Sequence, residues 1–186
     1  MATALVTGAS AGIGAEFVSQ LASRGNDVVL VARDAARLEA LATELGARHR
    51  VQTEVLVADL TDPAQLACIE DRLTDRARPV DVLVNNAGFG TNGRFSELDR
   101  DIETREVNLN VVALVRLTHA ALGPMTERGS GGVLNVSSLA GGQPTPGNAT
   151  YGATKAFVTS FTQSVREELR GTGVKITLVC PGFTRT

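Results

Sequence analysis

The sequence predicts an α/β fold, a doubly wound parallel sheet with helices on both faces. Three observations point there. Short apolar runs alternate with longer stretches of helical periodicity along the 186 residues. The apolar runs show little polar alternation, as strands covered on both faces require. The first run passes directly into a glycine-rich turn, Thr7-Gly8-Ala9-Ser10-Ala11-Gly12-Ile13-Gly14, and a helix follows.

Six strands are expected, at Ala2–Thr7, Asp27–Ala32, Val51–Ala58, Val80–Val84, Gly132–Ser137 and Val174–Val179. Each is rich in Val, Leu and Ile. Between the first two, Ile13, Phe17 and Leu21 recur every fourth residue, one face of a helix, with Val18 beside them. Leu38, Leu41 and Leu45 mark a second helix. Asp62 before Pro63 reads as an N-cap followed by an N1 proline, opening a third. Val107, Val111, Leu114, Val115 and Leu122 mark a long fourth helix. Ala156, Phe157, Ser160, Phe161, Ser164 and Val165 mark a fifth. No repeat, linker or low-complexity tract divides the chain, so residues 1–186 are read as a single domain.

Composition narrows the function. A net charge of -2 gives no electrostatic pull toward nucleic acid. No apolar run reaches the ~18 residues of a membrane span, and the first ten residues lack a signal peptide's basic start. Cys68 and Cys180 lie far apart with no metal-ligand neighbours, and His49 and His119 are isolated. We expect no metal, reduced thiols and a cytoplasmic protein.

The glycine turn carries the first chemical signal. Gly8 permits the tight turn, Gly12 close approach of a phosphate, and Gly14 helix–strand packing. Free N–H groups at the helix start, with the helix dipole, suit a pyrophosphate. In dinucleotide-binding folds an acidic residue at the end of the second strand bonds the ribose 2′-OH of NAD. That end reads Val31-Ala32-Arg33-Asp34. Arg33 suits a 2′-phosphate by charge and bidentate geometry, which points to NADP(H). Asp34, one residue on, leaves NAD(H) open.

The second signal is Tyr151, the only tyrosine, four residues before Lys155, one of two lysines. On a helix the pair shares a face. A cation ~4 Å from the phenol, at an effective dielectric of ~20, favours the phenolate by roughly 4 kcal/mol, or about three pKa units. Asn148 is a candidate cap for this helix, which would place Tyr151 in its first turn. Ser138 follows the fifth strand, where open α/β sheets place their ligands, and its hydroxyl can donate to a substrate oxygen. Ser137 competes for that role.

Taken in order, these motifs resemble the short-chain dehydrogenase/reductase family, in its single-domain, Tyr-x-x-x-Lys branch. The resemblance covers nearly the whole chain. Residues Thr7–Gly14 look like that family's cofactor loop, which implies cofactor contacts at Gly8, Ser10, Ala11, Gly12, Ile13 and Gly14. Asp59 and Leu60, after Ala58, look like its adenine-side segment. Asn85-Asn86-Ala87-Gly88 looks like the motif ending its fourth strand, and implies cofactor contacts at Asn86, Ala87 and Gly88. Asn108, Ser138, Tyr151 and Lys155 fall on its catalytic tetrad, with Asn110 competing for the asparagine. Pro181, Gly182, Thr184 and Thr186 resemble the segment closing over nicotinamide and pyrophosphate.

The resemblance implies a Rossmann fold and hydride transfer between a nicotinamide cofactor and a small carbonyl or secondary alcohol. Tyr151 would be the general acid/base, Lys155 its activator and a ribose ligand, and Asn108 the holder of a relay water. It also implies a homodimer or homotetramer packed through the fourth and fifth helices. Members of the family normally continue through a substrate loop, further helices and a last strand. A chain ending at Thr186 is therefore expected to be a C-terminally truncated member. This keeps two alternatives in view: a module that binds NAD(P) without turnover, or an inactive fragment. Epimerases and dehydratases of the larger related group share the Tyr-x-x-x-Lys pair but usually space their glycine loop differently. The loop residues Phe89 and Phe95 and the turn Gly141–Gly147 are expected at the substrate mouth, without encoding its identity.

Overall fold

A computed structural model of the chain describes residues 1–184. Six parallel strands form one sheet in the order β3-β2-β1-β4-β5-β6. They are β1 (Thr3–Thr7), β2 (Asp27–Ala32), β3 (Thr53–Val57), β4 (Val82–Asn85), β5 (Gly131–Val136) and β6 (Val174–Val179). The order reverses between β1 and β4, where Val6 pairs with Val84 and Thr7 with Val31. That switch point opens a crevice at the carboxyl ends of the strands.

The helices are α1 (Gly12–Ser23), α2 (Ala35–His49), α3 (Pro63–Thr74), α4 (Arg100–Val107), α5 (Leu114–Glu127) and α6 (Ala149–Glu168). Alternate residues of each strand feed opposite faces of the sheet. Val6, Val28, Leu30 and Val84 pack with Val18 and Ala22 of α1 and with Leu38, Ala42 and Leu45 of α2. Leu5, Val29, Val31, Leu83, Val133 and Ile176 pack with Leu66, Ile69 and Leu73 of α3 and Leu117, Ala121 and Met125 of α5. Both faces of the central strands are thus dry, which is why they read as unbroken apolar runs. Asp62 caps α3 as expected, accepting from the N–H groups of Ala64 and Gln65.

A polar ladder interrupts the second core. The Asn85 amide donates to Thr118 of α5 and to the Asn135 carbonyl oxygen at 2.9 Å, and Asn135 donates to Thr162 of α6. The buried Asn85 Oδ1, an acceptor, is left without a partner among the described residues.

The fourth helix differs from its expected form. The long apolar stripe runs through α4 and α5, but residues Asn108–Ala113 between them form a π-helical turn. Such a turn carries one extra residue in the helical ladder. It re-phases α4 against α5, so the two halves of one continuous rod face different surroundings. Among the described residues, no helix is long and apolar enough to cross a membrane.

Candidate active site

Two adjoining cavities of about 530 and 1150 Å³ occupy the crevice and share Gly8, Ala87, Gly88, Phe89 and Arg37. The β1–α1 loop forms their floor. Gly12 takes φ +56°, a left-handed conformation that favours glycine. Gly14 lines neither cavity; a Cβ there would strike the Gly8 carbonyl, so its role is close packing. No side chain caps α1, whose N-cap position is Ala11, so the first-turn N–H groups face the cleft beside Ala11, Gly12 and Ile13. The loop is braced from β4. Thr7 Oγ1 accepts from the backbone N–H groups of Asn86 and Ala87, both at 3.0 Å, and Asn86 Nδ2 donates to the Thr7 carbonyl at 2.9 Å. The sequence marked Thr7 only as the start of the glycine turn; its bracing role lies in side-chain contacts with the residues that follow β4.

The smaller cavity lies over the ends of β2 and β3 and is lined by Ser10, Arg33, Arg37, Asp59 and Leu60. Arg33 reaches into solvent, 70% exposed, with only a loose 3.9 Å ion pair to Asp59. Asp34 also lines this cavity and caps α2, accepting from the Arg37 N–H at 3.0 Å and pairing with the Arg37 guanidinium at 3.3 Å. Asp59 is held by the Thr61 hydroxyl and N–H and by Arg105 at 2.6 Å. Burial works to raise its pKa, but these hydrogen bonds and the Arg105 charge outweigh it and keep the carboxyl below its ordinary range. Leu60 lines the cavity although it belongs to the core. Arg37 and Arg105 are further cationic groups of this cavity that the sequence did not mark.

The larger cavity brings together Ser138, Tyr151 and Lys155 with Pro181, Gly182 and Thr184. Thr186 lies outside the described residues. Ser137 and Ser138 separate clearly. The Ser137 hydroxyl is buried and committed to the Lys155 carbonyl at 2.7 Å and to Thr159. Ser138 is half-buried at the cavity wall, where it accepts from the Ala140 N–H at 3.2 Å. Tyr151 is the third residue of α6, inside its first turn. Asn148 stands at the N-cap position but makes no cap; its amide donates to the Thr91 carbonyl instead.

Lys155 lies one turn on, buried to 4% exposure. Its Nζ is 5.6 Å from the Tyr151 ring centroid and donates to the Val136 carbonyl at 2.9 Å. Burial drives its pKa down from 10.5 to about 8, against the opposing pull of Glu106 and Cys180.

The two candidate asparagines also separate. Asn108 is half-exposed at the start of the π turn and its side chain makes no hydrogen bond among the described residues. Asn110 is 1% exposed. Its amide donates to the Phe89 carbonyl at 2.8 Å and to Thr154 at 3.1 Å, and accepts from the Phe89 N–H at 3.1 Å. Asn110 Oδ1 and Lys155 Nζ both border Gly88. The extra residue of the π turn is what rotates Asn110, not Asn108, toward α6.

A third group was invisible in the sequence. Glu103 and Glu106 of α4 are buried beside Thr91, Thr150 and Lys155. Burial, with Glu103 adding in the same direction, raises the Glu106 pKa against the Thr91 hydrogen bonds and Lys155. A glutamate three residues from another reads as a solvated helix face, so only packing reveals this pair.

Comparison with known proteins agrees with the fold. The family profile described as short chain dehydrogenase matches residues 2–186. The chain is 38% identical to sulfoacetaldehyde reductase 2 of Chromohalobacter salexigens over 98% of its own length and 72% of the relative's. A ketoacyl reductase of Nostoc is 36% identical, and the chain spans 63% of its length. Among solved structures, a short-chain dehydrogenase from Sphingobium yanoikuyae in complex with NADPH superposes with a TM-score of 0.96 at 43% identity, covering all of this chain and 72% of that one.

Proposed function

The chain belongs to the short-chain dehydrogenase family, and from that premise we propose that it transfers hydride between NADP(H) and a carbonyl or secondary-alcohol substrate, with Tyr151 as general acid/base. The observation that carries the reading is the convergence of Ser138, Tyr151 and Lys155 on the cavity that begins at the glycine loop.

The residues present fit the cofactor. The uncapped start of α1 would hold a pyrophosphate between Ser10, Ala11, Gly12 and Ile13. Asn86, Ala87 and Gly88 would line its passage across the switch point, with Pro181, Gly182 and Thr184 on the far wall. Arg33 supports the phosphorylated cofactor because its guanidinium is free of any tight ion pair, with Arg37 and Ser10 beside it. Asp34 is spent on capping α2, which weakens the case for NAD(H). The solved NADPH complex supports the same choice. When bound, the nicotinamide supplies or accepts the hydride.

The chain's own residues do the proton chemistry. Ser138 would donate to the substrate oxygen and stabilise the charge developing there. Tyr151 would give that oxygen its proton during reduction and remove it during oxidation. It sits in the first turn of α6, at the wall of the cavity that Ser138 and Lys155 also line. Lys155 would hold a buried ammonium beside the Tyr151 ring and reach the cofactor ribose. Asn110 would fix the Phe89 backbone and the water path to Lys155, the role first assigned to Asn108. Leu139 and Phe183 are exposed at the cavity mouth and favour an apolar group on the substrate.

Nicotinamide absorbance with a carbonyl panel, beside calorimetry with NADPH, tests the reading. Tyr151→Phe should lower turnover by at least ~100-fold, the usual worth of general acid–base catalysis, and leave NADPH binding intact. Full turnover in that variant would refute the proton assignment.

A further inference from the structure

We propose that Glu103 and Glu106 retain one proton between them, carried by Glu106 and bonded to the Thr91 hydroxyl, and that this half-protonated pair is the clamp that positions Tyr151. The positioning role rests on the reading of Tyr151 as acid/base; the retained proton does not.

Hydrogen counting leads to the proton. Thr91 Oγ1 lies 2.5 Å from Glu103 Oε1 and 3.3 Å from Glu106 Oε2. A hydroxyl has one hydrogen to donate. The shorter contact assigns it to Glu103, whose other oxygen accepts from the Thr150 hydroxyl. Glu103 is therefore fully served as a carboxylate. Glu106 Oε2 already accepts from the Thr91 N–H at 3.1 Å. It can bond the Thr91 oxygen only by bringing a hydrogen of its own. Glu106 Oε1 has no partner among the described residues, and the residue is 0% exposed. An ionised carboxylate with a bare, buried oxygen is costly, whereas a neutral acid leaves only an unpaired carbonyl oxygen.

Charge counting agrees. The charged groups that face Glu106 are Glu103 on its own helix and Lys155 on α6. Tyr151 on α6 and Cys180 beyond β6 complete the titratable neighbours of Lys155. Glu103 and Lys155 are 7% and 4% exposed. One ammonium and two acids buried together are neutral when one acid keeps its proton.

The pair is wired to the phenol. Its acceptors hold the Thr91 backbone and hydroxyl, and the Thr91 carbonyl holds Asn148 at the start of α6. Gly93 donates to the Gly147 carbonyl at 2.9 Å, fastening the same loop to the same helix start. The loop then presses on the phenol: a Cβ at Gly90 would sit 2.7 Å from Tyr151 Cδ2. Thr150, the residue before Tyr151, is bonded to Glu103 itself. The carboxyl pair thus grips both the loop above the ring and the turn that carries it.

The test begins with the unaltered chain. Infrared spectroscopy at pH 7, where ordinary carboxylates are ionised, should show a protonated carboxyl C=O band, and Glu106→Gln should remove it. Absence of the band from the wild-type chain overturns the proposal whether or not the protein turns over. The pH profile of kcat/KM gives the second readout. Glu106→Gln mimics a neutral acid, so its alkaline limb should stay in place and kcat should remain within about threefold of wild type. Glu106→Ala should lose activity that the glutamine variant keeps. If Glu106→Gln moves the limb by about one pH unit or more, Glu106 is ionised and the assignment is wrong.

Discussion

Replacing Lys155 with methionine should make the protein more stable at neutral pH, and by an amount that disappears as pH rises. Lys155 is 4% exposed and its pKa falls from 10.5 to about 8. In the unfolded chain it regains the ordinary value. Between pH 8 and 10.5 the unfolded state therefore holds more protons, and stability rises with pH across that window. Below about pH 8 the folded protein carries the full cost of a buried ammonium. The gap in pKa, at about 1.4 kcal/mol per unit, puts that cost at ~3 kcal/mol. Methionine is neutral and of similar reach. It forfeits the hydrogen bond to the Val136 carbonyl, about 1 kcal/mol at any pH. The Lys155→Met variant should gain a net ~2 kcal/mol at pH 7, and fall to parity or below near pH 10.5. Urea unfolding of both proteins, followed by far-UV circular dichroism across that range, measures the difference directly. Groups that do not interact with Lys155 titrate alike in both proteins and cancel. A stability difference that stays flat from pH 7 to 10.5 would refute the claim that Lys155 is buried against its charge. The gain in stability should come with loss of turnover, since active sites commonly hold such groups at a cost.

Two further outcomes follow from the same geometry. Arg33→Ala should weaken NADPH binding by about 10–100-fold, the worth of a hydrogen bond to a charged group, while leaving NADH binding within twofold or so; equal loss for both cofactors would remove Arg33 from the 2′-phosphate. Asn110→Ala should destabilise the fold by about 2 kcal/mol by stranding the Phe89 N–H, whereas Asn108→Ala should cost under ~1 kcal/mol, and the reverse order in chemical denaturation would restore Asn108 to the site.

The strands were legible because burial on both faces leaves only apolar residues to choose from; β6 spans Val174–Val179, as the sequence alone predicts. The glycine loop was legible because Gly12 needs its backbone freedom and Gly14 its missing side chain, and few other residues meet either demand. The asparagine was not. Asn108 and Asn110 lie two residues apart, on nearly opposite sides of a helix, and which one faces α6 depends on the π turn between α4 and α5. The apolar residues Val107, Val111 and Leu114 fit an ordinary helix equally well, so nothing in their spacing shows the extra residue. Glu103 and Glu106 were unreadable for a related reason. Their burial comes from the Phe89–Gly93 loop folding over α4, a contact that local periodicity cannot encode.

The π turn also gives the chain an unusual genetic lever. One residue advances an α-helix by about 100°. Removing a single amino acid between Asn108 and Ala113 would restore regular winding without shortening any loop or opening the core beneath α5. The rod would look healthier by every local standard. Yet α4 would arrive turned by more than a quarter circle, carrying Glu103 and Glu106 away from Thr91. In-frame loss of one codon here therefore acts as a rotary switch, uncoupling an ordered scaffold from its chemistry, and lineages that drift from catalysis toward simple binding have a one-step route through this position.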